Sequence, residues 1–354
     1  MNAAPHAEGA SRVNLDAFEG AYLTRGRMIF WLLILAGALF ASLIVAASFG
    51  SAPVHLFRAM TDSMSADHAI FFGVRLPRVL MGAVVGAVLA SAGVALQALV
   101  RNPLAEGGIL GISGGAALGA ILALVLLSAS PISDAIVPMV AFGSALVATL
   151  AVYRLALIDG RLEPFTLLLI GVIFNAFWGA AIMLVNSVVN FYYAHSILFW
   201  LMGNLEAPTY REVAIVACLA AIGFLVLMFR ARDLNLLSLG DEAAAEMGVE
   251  VAGLRRVIFF ATSIMIGAAV SVSGIISFVG LIVPHVLRLA LGSDHRLLLP
   301  ASLLGGAAFM VIADLIARTA IAPSEIPVGA ITALCGGPFF IYMLRREGQK
   351  PFSL

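Results

Sequence analysis

Residues 79–100, VLMGAVVGAVLASAGVALQALV, form a stretch of 22 residues without a charge, between Arg78 and Arg101. A helix needs about 20 apolar residues to cross the hydrocarbon core of a bilayer, so this stretch predicts one membrane-spanning helix. In the whole chain of 354 residues, 62% are hydrophobic and 11% are charged, against about 25% charged in an ordinary soluble protein. So few charges could not cover the surface of a soluble fold. The sequence therefore predicts an all-α, polytopic membrane protein.

Eight other uncharged stretches have lengths that suit a membrane crossing, which gives nine candidate spans. A cleaved signal peptide is the alternative for the first of them, although its 22 apolar residues exceed a usual signal sequence. The eight stretches are 28–49, 108–127, 135–153, 165–191, 213–229, 257–281, 297–313 and 326–344.

The basic residues predict an even number of crossings. Arginines precede the first span and follow the last, so the positive-inside rule places both ends of the chain in the cytoplasm. We therefore expect a tenth, short crossing at residues 281–291, framed by Pro284 and Gly292. The predicted organisation is a cytoplasmic extension at 1–27, a ten-helix domain at 28–346 with a cytoplasmic loop at 230–256, and a cytoplasmic tail at 347–354.

A repeated pattern occurs at an offset of 181 residues. Five crossings in each half would make the two repeats inverted, which is a common plan for transporters. Because the chain contains 34 glycines, a chance match is the alternative. The matched residues are Gly86, Gly93, Pro103 and Gly111 in the first half, and Gly267, Gly274, Pro284 and Gly292 in the second.

Charges and cysteines exclude several classes of function. Twenty basic and twenty acidic residues cancel, so no net field attracts nucleic acid. Lys350 is the only lysine, and it is not followed by the Ser or Thr of a Walker A phosphate-binding loop. Any ATP would therefore be hydrolysed by another chain. Cys218 and Cys335 lie in apolar stretches, so we expect them to be buried rather than paired in a disulfide.

Residues 101–115, RNPLAEGGILGISGG, combine a turn with a glycine-rich start of a helix. Non-helical backbone at membrane depth is tolerated only beside protein or a water-filled cavity. The stretch therefore predicts backbone near a pathway, or else a tight helix contact. An enzyme is a third possibility, because GISGG at 111–115 fits serine-hydrolase patterns, with Ser113 as the nucleophile and His285 as the available base.

The largest predicted cytoplasmic loop, 230–256, contains GDEAAAEMGVE at 240–250. Ala and Glu favour a helix, and Gly248 suits the end of one. Ala244, Met247 and Gly248 would give this helix a small apolar face between acidic residues, which predicts a docking helix for a soluble partner. A solvated amphipathic connector is the alternative.

Five arginines are predicted on the outer side of the membrane, against the positive-inside trend: Arg58, Arg75, Arg78, Arg211 and Arg318. Arg75, Arg78 and Arg318 could form a cationic rim that receives carboxylates from a partner. Alternatively, Arg318 could pair within its own helix with Asp314, four residues earlier.

Several of these motifs resemble, in sequence and in order, the permeases of ABC importers for iron chelates, haem and vitamin B12. The resemblance covers about residues 75–344 and implies a ten-helix permease without a cofactor of its own, in the inner membrane of a bacterium. The motifs that carry it are RLPR at 75–78, QAL at 97–99, NPLA at 102–105, the 240–248 loop, FVGLIVPH at 278–285, DHR at 294–296 and LP at 299–300.

The resemblance also implies an assembly of two copies of this chain with two cytoplasmic ATP-binding subunits, which use ATP and Mg²⁺. A periplasmic binding protein would deliver the cargo to a path between the two permeases, along their third and fifth spans. The implied contacts are Arg75, Arg78 and Arg318 for the binding protein, and Gly240, Ala244, Met247 and Gly248 for the ATP-binding subunit. The candidate path residues are Ser113, Gly114, Asn175, Tyr192, Tyr193 and His195.

The cargo is predicted less sharply than the family. Haem is slightly favoured over a ferric siderophore or cobalamin, because Tyr192, Tyr193 or His195 could ligate haem iron, although an interfacial aromatic belt is the alternative. Outside this family, an ion-coupled transporter would use Asp314 as its coupling carboxylate. Side chains that could pack a flat macrocycle, or only a neighbouring helix, are Met183, Trp200 and Met202.

Overall fold

The computed structural model describes residues 23–127, 133–205 and 208–347. Most of these residues lie in helices joined by short connections. The elements are α1 (Arg25–Ser48), α2 (Leu56–Thr61), α3 (Ala66–Ile70) with a π-helical segment (Phe71–Arg75), α4 (Leu76–Val100), α5 (Ile112–Leu127), α6 (Ser133–Leu155), the antiparallel hairpin β1 (Leu157–Ile158) and β2 (Arg161–Leu162), α7 (Pro164–Val188), α8 (Phe191–Leu201), α9 (Tyr210–Phe229), α10 (Ala231–Leu239), α11 (Asp241–Glu246), α12 (Val251–Ser273), α13 (Val279–Leu291), α14 (His295–Thr319) and α15 (Val328–Glu347).

Ten apolar helices occur in the described residues. Seven of them are long and apolar enough to cross a membrane, and α5, α13 and α15 are shorter apolar helices. The prediction of an all-α polytopic fold with about ten such helices is therefore confirmed.

The predicted tenth crossing is α13, a helix of 13 residues. It follows Phe278, whose φ of 70° lies in the left-handed region, and it ends at Gly292, whose φ is 95°. Pro284 lies inside α13 and not at its start, so the predicted frame is correct only at the glycine end.

Three helices are shorter than the uncharged stretches predict, and in two of them a positive-φ glycine interrupts the backbone. α5 begins only at Ile112, after Gly111 with a φ of 78°. α12 ends at Ser273, before Gly274 with a φ of 65°. The fifth span divides into α7 and the separate helix α8. Apolar composition therefore gives the number of helices, but irregular backbone sets their ends.

Helix α4 lies at the centre of the bundle, and glycines bring its backbone against two neighbours. A Cβ added at Gly86 would overlap the carbonyl oxygen of Gly306 in α14. A Cβ at Gly93 would likewise overlap the carbonyl oxygen of Gly280 in α13. Small residues let helices in lipid approach this closely, so the glycines select these helix pairs.

The 181-residue register does not place all matched residues in equivalent elements. Pro103 lies in the connection between α4 and α5, whereas Pro284 lies inside α13. Gly111 precedes a helix, whereas Gly292 ends one. This register therefore does not support the inverted repeat, which stays a prediction.

Helices α1 and α7 lie at the periphery of the bundle. In the most apolar 18-residue stretch of each helix, only 6% of the residues are buried. Helix α7 exposes large apolar side chains, including Phe165, Phe177 and Met183. Cys218 and Cys335 are also exposed, so the prediction that they are buried is wrong. Their apolar surroundings in the sequence reflect helices that face outward, where lipid or another subunit would cover them.

The ends of the chain lie largely outside the described residues. Residues 1–22 and 348–354, which contain most of the predicted extension and tail, are not described. Helix α1 begins at Arg25, just before the predicted boundary at residue 27, and α15 ends at Glu347.

Candidate functional site

The three arginines of the predicted rim, Arg75, Arg78 and Arg318, meet in one cluster with Asp314 and Glu325, here called the arginine network. Arg78 Nε donates to Asp314 Oδ1 at 2.9 Å, and Arg318 Nε donates to Asp314 Oδ2 at 2.8 Å. Arg78 Nη1 also donates to Glu325 Oε2 at 2.6 Å. One buried carboxylate therefore serves two guanidiniums, one from α4 and one from its own helix α14.

Arg75 and Arg318 also bind backbone carbonyl oxygens at the C-terminal end of α1 and in the connection that follows it. Arg75 donates to Ala47 O at 3.2 Å, Ser48 O at 3.1 Å and Ala52 O at 2.6 Å. Arg318 donates to Ala46 O at 3.2 Å. Carbonyl groups at a helix C-terminus lack helical partners and attract cations, so the two arginines fasten the end of α1.

The three arginines of the predicted rim are buried in this structure, and their role in docking stays a prediction. Arg75, Arg78 and Arg318 are only 5%, 7% and 3% exposed, and each is hydrogen-bonded within the chain. The alternative, an internal pair of Asp314 with Arg318, is what the structure contains. Two arginines already occupy Asp314, which makes it a poor coupling site for a proton or sodium ion.

The 230–256 segment lies at the other end of α4. It contains α10 and α11, which Gly240 separates with a φ of 124°, and Gly248 follows α11 with a φ of 86°. Such φ values favour glycine. Met247 is 62% exposed, but Ala244 is 0% exposed, so the predicted placement of Ala244 on a docking face is wrong. Ala244 instead packs into the chain and holds α11 in place.

Asp241 anchors α11, and the sequence reasoning missed it. Its Oδ1 accepts from Arg255 Nη2 at 2.7 Å and lies 3.3 Å from Arg101 Nη2. Arg101 follows α4, and Arg255 lies in the first turns of α12. Arg101, Arg255 and Asp241 are far apart in the sequence or in different helices, so no local pattern indicated that they would meet.

A cavity of about 550 Å³ lies between α5, α7 and α8. It brings together Ser113, Gly114 and Asn175, three of the predicted path residues. Asn175 Nδ2 donates to Gly108 O at 2.7 Å and to Ile109 O at 3.2 Å, which supports the irregular backbone before α5. Further lining residues include Glu106, Trp178, Ile182, Met183, Asn186 and Ser277.

Glu106 is a second site residue that the sequence reasoning did not single out. Its Oε2 accepts from the backbone N–H of Phe278 at 3.1 Å, at the start of α13. Helix N-termini favour a carboxylate, so Glu106 joins the 101–111 connection to α13. Because Phe278 lies 172 residues later in the chain, local sequence could not indicate this contact.

His195 lies in a different cavity, of about 450 Å³, and is not grouped with Ser113 and Asn175. Trp200 shares this second cavity, and the His195 ring lies 4.7 Å from that of Phe199. Among the described residues, Tyr193 is not part of the lining of either cavity. The predicted path residue Tyr192 has a side chain that is not among those the structure describes.

The structure does not assemble the serine-hydrolase pair. Ser113 lines the 550 Å³ cavity, and the described lining of that cavity does not include His285. The His285 ring instead packs against Phe339 of α15, with ring centroids 6.0 Å apart. A nucleophile needs a base within hydrogen-bond reach, so this arrangement does not favour hydrolysis.

Comparisons with known proteins agree with this architecture. Residues 32–346 match the profile of the FecCD transport family. The chain is 44% identical over 274 residues to the cobalamin import system permease protein BtuC of Halobacterium salinarum, covering 77% of this chain and 72% of the relative. It is 39% identical over 298 residues to the hemin transport system permease protein HmuU of Yersinia pestis, covering 83% and 89%. A solved metal-chelate type ABC transporter in an inward-facing conformation has a TM-score of 0.78 at 29% identity, over 90% of this chain and 99% of the other.

Proposed function

The chain belongs to the FecCD transport family, and on this premise we propose that it is the permease of an ATP-driven importer that moves an iron chelate, with haem slightly favoured, from periplasm to cytoplasm. The observation that carries the proposal is the match of residues 32–346, because that range covers the helical bundle, except for the first turns of α1 and the last residue of α15, together with the 230–256 segment. The relatives compared are themselves permeases of import or transport systems.

The proposed assembly contains two copies of this chain in the bacterial inner membrane, with both termini in the cytoplasm. Two cytoplasmic ATP-binding subunits would supply hydrolysis of ATP with Mg²⁺, in keeping with a chain whose only lysine is Lys350. The apolar surface of α7, with exposed Phe177 and Met183, supports pairing of the copies beside the 550 Å³ cavity.

We propose that the binding protein docks at the end of the bundle that contains the arginine network. Because Arg78 and Arg318 already bind Asp314, a docking carboxylate would have to replace a carboxylate of this chain. Docking would therefore be an exchange of partners, rather than the attraction of an acid to an open basic rim.

The cargo is proposed from the chemistry of the two cavities. His195 and Trp200 line one cavity, and an imidazole beside an indole suits the iron and the flat ring of haem. The 550 Å³ cavity offers mainly apolar and uncharged polar side chains, which also suits a large chelate. A ferric siderophore and cobalamin are the alternatives within the same proposal.

Uptake by proteoliposomes tests the proposal directly. With the ATP-binding subunits and the binding protein present, we expect accumulation of haem that requires ATP, and less accumulation of cobalamin under the same conditions. ATP-dependent uptake of cobalamin alone would keep the transporter and change the cargo. Uptake driven by a proton or sodium gradient without ATP, or proteolysis without uptake, would contradict the importer.

Residues 239–248 are here called the coupling segment, and we propose that the exposed side chains of this segment, such as Met247, bind the ATP-binding subunit. Met247→Glu should weaken this binding at least tenfold, because it places a charge in an apolar contact. Met60→Glu is the matched control, since Met60 is 68% exposed on α2, beyond the opposite end of α4. Ala244→Arg is unsuitable, because Ala244 is buried. Equal binding by the Met247 and Met60 variants would make the segment an ordinary connector.

A further inference from the structure

A polar pocket of about 500 Å³ lies beside the coupling segment, and the proposed function does not use it. It is formed by the C-terminal end of α4, by α10 and by the junction between α13 and α14. Its lining residues are Gln97, Ala98, Arg101, Asn102, Pro103, Asn235, Ser238, Leu239, Arg288, Ser293, Asp294 and His295.

Arg288 extends from α13 into this pocket and is partly buried. Its Nη2 donates to Gln97 Oε1 at 2.7 Å, and Gln97 Nε2 in turn donates to Gly280 O at 3.0 Å. Among the residues that the structure describes, no carboxylate lies within 4.0 Å of the Arg288 guanidinium. A partly buried charge is costly without an opposite charge nearby, so Arg288 lacks the partner that its position requires.

The other charges around the pocket leave it positive. Arg101 shares the single carboxylate of Asp241 with Arg255. Asp294, the acidic residue of the pocket lining, is already occupied, because Arg296 Nε donates to its Oδ1 at 3.0 Å. Burial alone would raise the pKa of Asp294, but hydrogen bonds from Arg296 and Asn235 hold it at about 2. Asp294 is therefore ionised but already paired, and it does not neutralise Arg288.

The pocket is continuous with the coupling segment. Leu239 is 66% exposed, lines the pocket, and lies directly before Gly240 and α11. A protein seated on Leu239 and Met247 would therefore also cover the mouth of the pocket. Nine of the twelve lining residues have polar or charged side chains, which suits an acidic side chain of such a protein.

We propose that this pocket is a second contact for the ATP-binding subunit, which inserts an acidic side chain whose carboxylate binds Arg288. The inference rests on the proposed function, because it takes the ATP-binding subunit as the partner. It extends that interface from the short helix α11 to the ends of α4 and α13. Movement of the bound subunit would then act on three elements of the bundle.

The affinity of the detergent-solubilised permease for its ATP-binding subunit tests the inference. Arg288→Gln should weaken binding about tenfold or more and reduce its dependence on salt, since a buried charge pair is lost. Arg288→Lys should restore part of the affinity. Arg58→Gln is the control for charge, because Arg58 is exposed beyond the opposite end of α4.

Met247→Glu, measured beside these variants, separates the inference from the proposed function. Weak binding by the Met247 variant with normal binding by Arg288→Gln would overturn the inference alone, while normal binding by both would overturn the proposed coupling segment as well. If Arg288→Gln lowers the melting temperature but leaves the affinity unchanged, Arg288 stabilises the fold through its hydrogen bond to Gln97, and the inference is wrong. If affinity is unchanged and phosphatidylglycerol copurifies with the wild type but not with the variant, the occupant is a lipid and the inference is wrong.

A photoreactive group gives an independent readout that does not need an arginine variant. Ser238 is exposed and lines the pocket, so Ser238→Cys can carry the label after Cys218→Ser and Cys335→Ser remove the native thiols. We expect a crosslink to a peptide of the ATP-binding subunit that contains Asp or Glu. A crosslink confined to other surfaces of that subunit would contradict the inference.

Discussion

Replacing Asp314 with asparagine is expected to lower the free energy of unfolding by about 3–5 kcal/mol, because two buried guanidiniums would lose the carboxylate that they share. Asparagine keeps the shape of the side chain, so lost volume does not explain the effect. Arg78 would keep only its contact with Glu325, and Arg318 only its contacts with backbone carbonyl oxygens. The melting temperature of the purified protein measures the change.

Asp62→Asn is the matched control for this prediction. Asp62 forms an exposed ion pair with Arg58 at 3.8 Å, and such pairs contribute about 0–1 kcal/mol. A melting temperature of Asp314→Asn within the range of this control would contradict a structural role for the arginine network.

Arg318→Glu, studied in two assays, separates the internal role of the network from docking. An internal role predicts a lower melting temperature, because a second carboxylate would face Asp314. Docking by exchange predicts weaker binding of the binding protein as well. Lower stability with unchanged binding would leave Arg318 as a purely structural residue.

Gly93→Leu is expected to prevent recovery of folded protein, because α4 and α13 are in backbone contact at this position. Even a single Cβ at Gly93 would overlap the carbonyl oxygen of Gly280, and leucine adds three further carbons. Backbone atoms cannot move aside as the end of a flexible side chain can, so the cost should exceed the usual ~1–3 kcal/mol for overpacking. One turn later, Gln97 would also lose its bond to Gly280.

The yield of monodisperse protein extracted from membranes measures this effect. Gly143→Leu is the control, because a Cβ at Gly143 in α6 would have no neighbour within 4 Å in the part of the chain that the structure describes. Gly93→Ala should lie between the two. Equal yields for the Gly93 and Gly143 leucine variants would show that the contact of α4 with α13 is not essential.

The sequence predicted the helices well because membrane crossing depends on local composition. An uncharged stretch bounded by Arg78 and Arg101 has the length that a bilayer requires, and it forms α4. Helix α13, with 13 residues, is too short for hydrophobicity alone to identify it as a crossing. The even number of crossings that the positions of the arginines require located it. Helix ends were less accurate where glycines such as Gly111 and Gly274 adopt positive φ.

The site could be predicted only where its residues are close in sequence. Ser113 and Gly114 share a helix start, and Asp314 with Arg318 share a helix face. Arg78 and Glu325 are 247 residues apart, and nothing local indicates that they meet. The sequence also could not show which residues of α11 and its C-terminal end are buried. Ala244 and Met247 both belong to the predicted apolar face, but only the orientation of the helix in the fold makes Ala244 buried and Met247 exposed.

The arginine network also determines how early the protein can be complete during its synthesis. Arg78 leaves the ribosome long before its first carboxylate partner, Asp314, which follows 236 residues later. The end of α1 likewise waits for Arg318, which binds Phe49 O across 269 residues. Arg78 therefore stays without these carboxylate partners in the membrane until α14, the penultimate helix, has been inserted. A chain truncated before α14 would lack both Asp314 and Glu325, the two carboxylates that pair with Arg78.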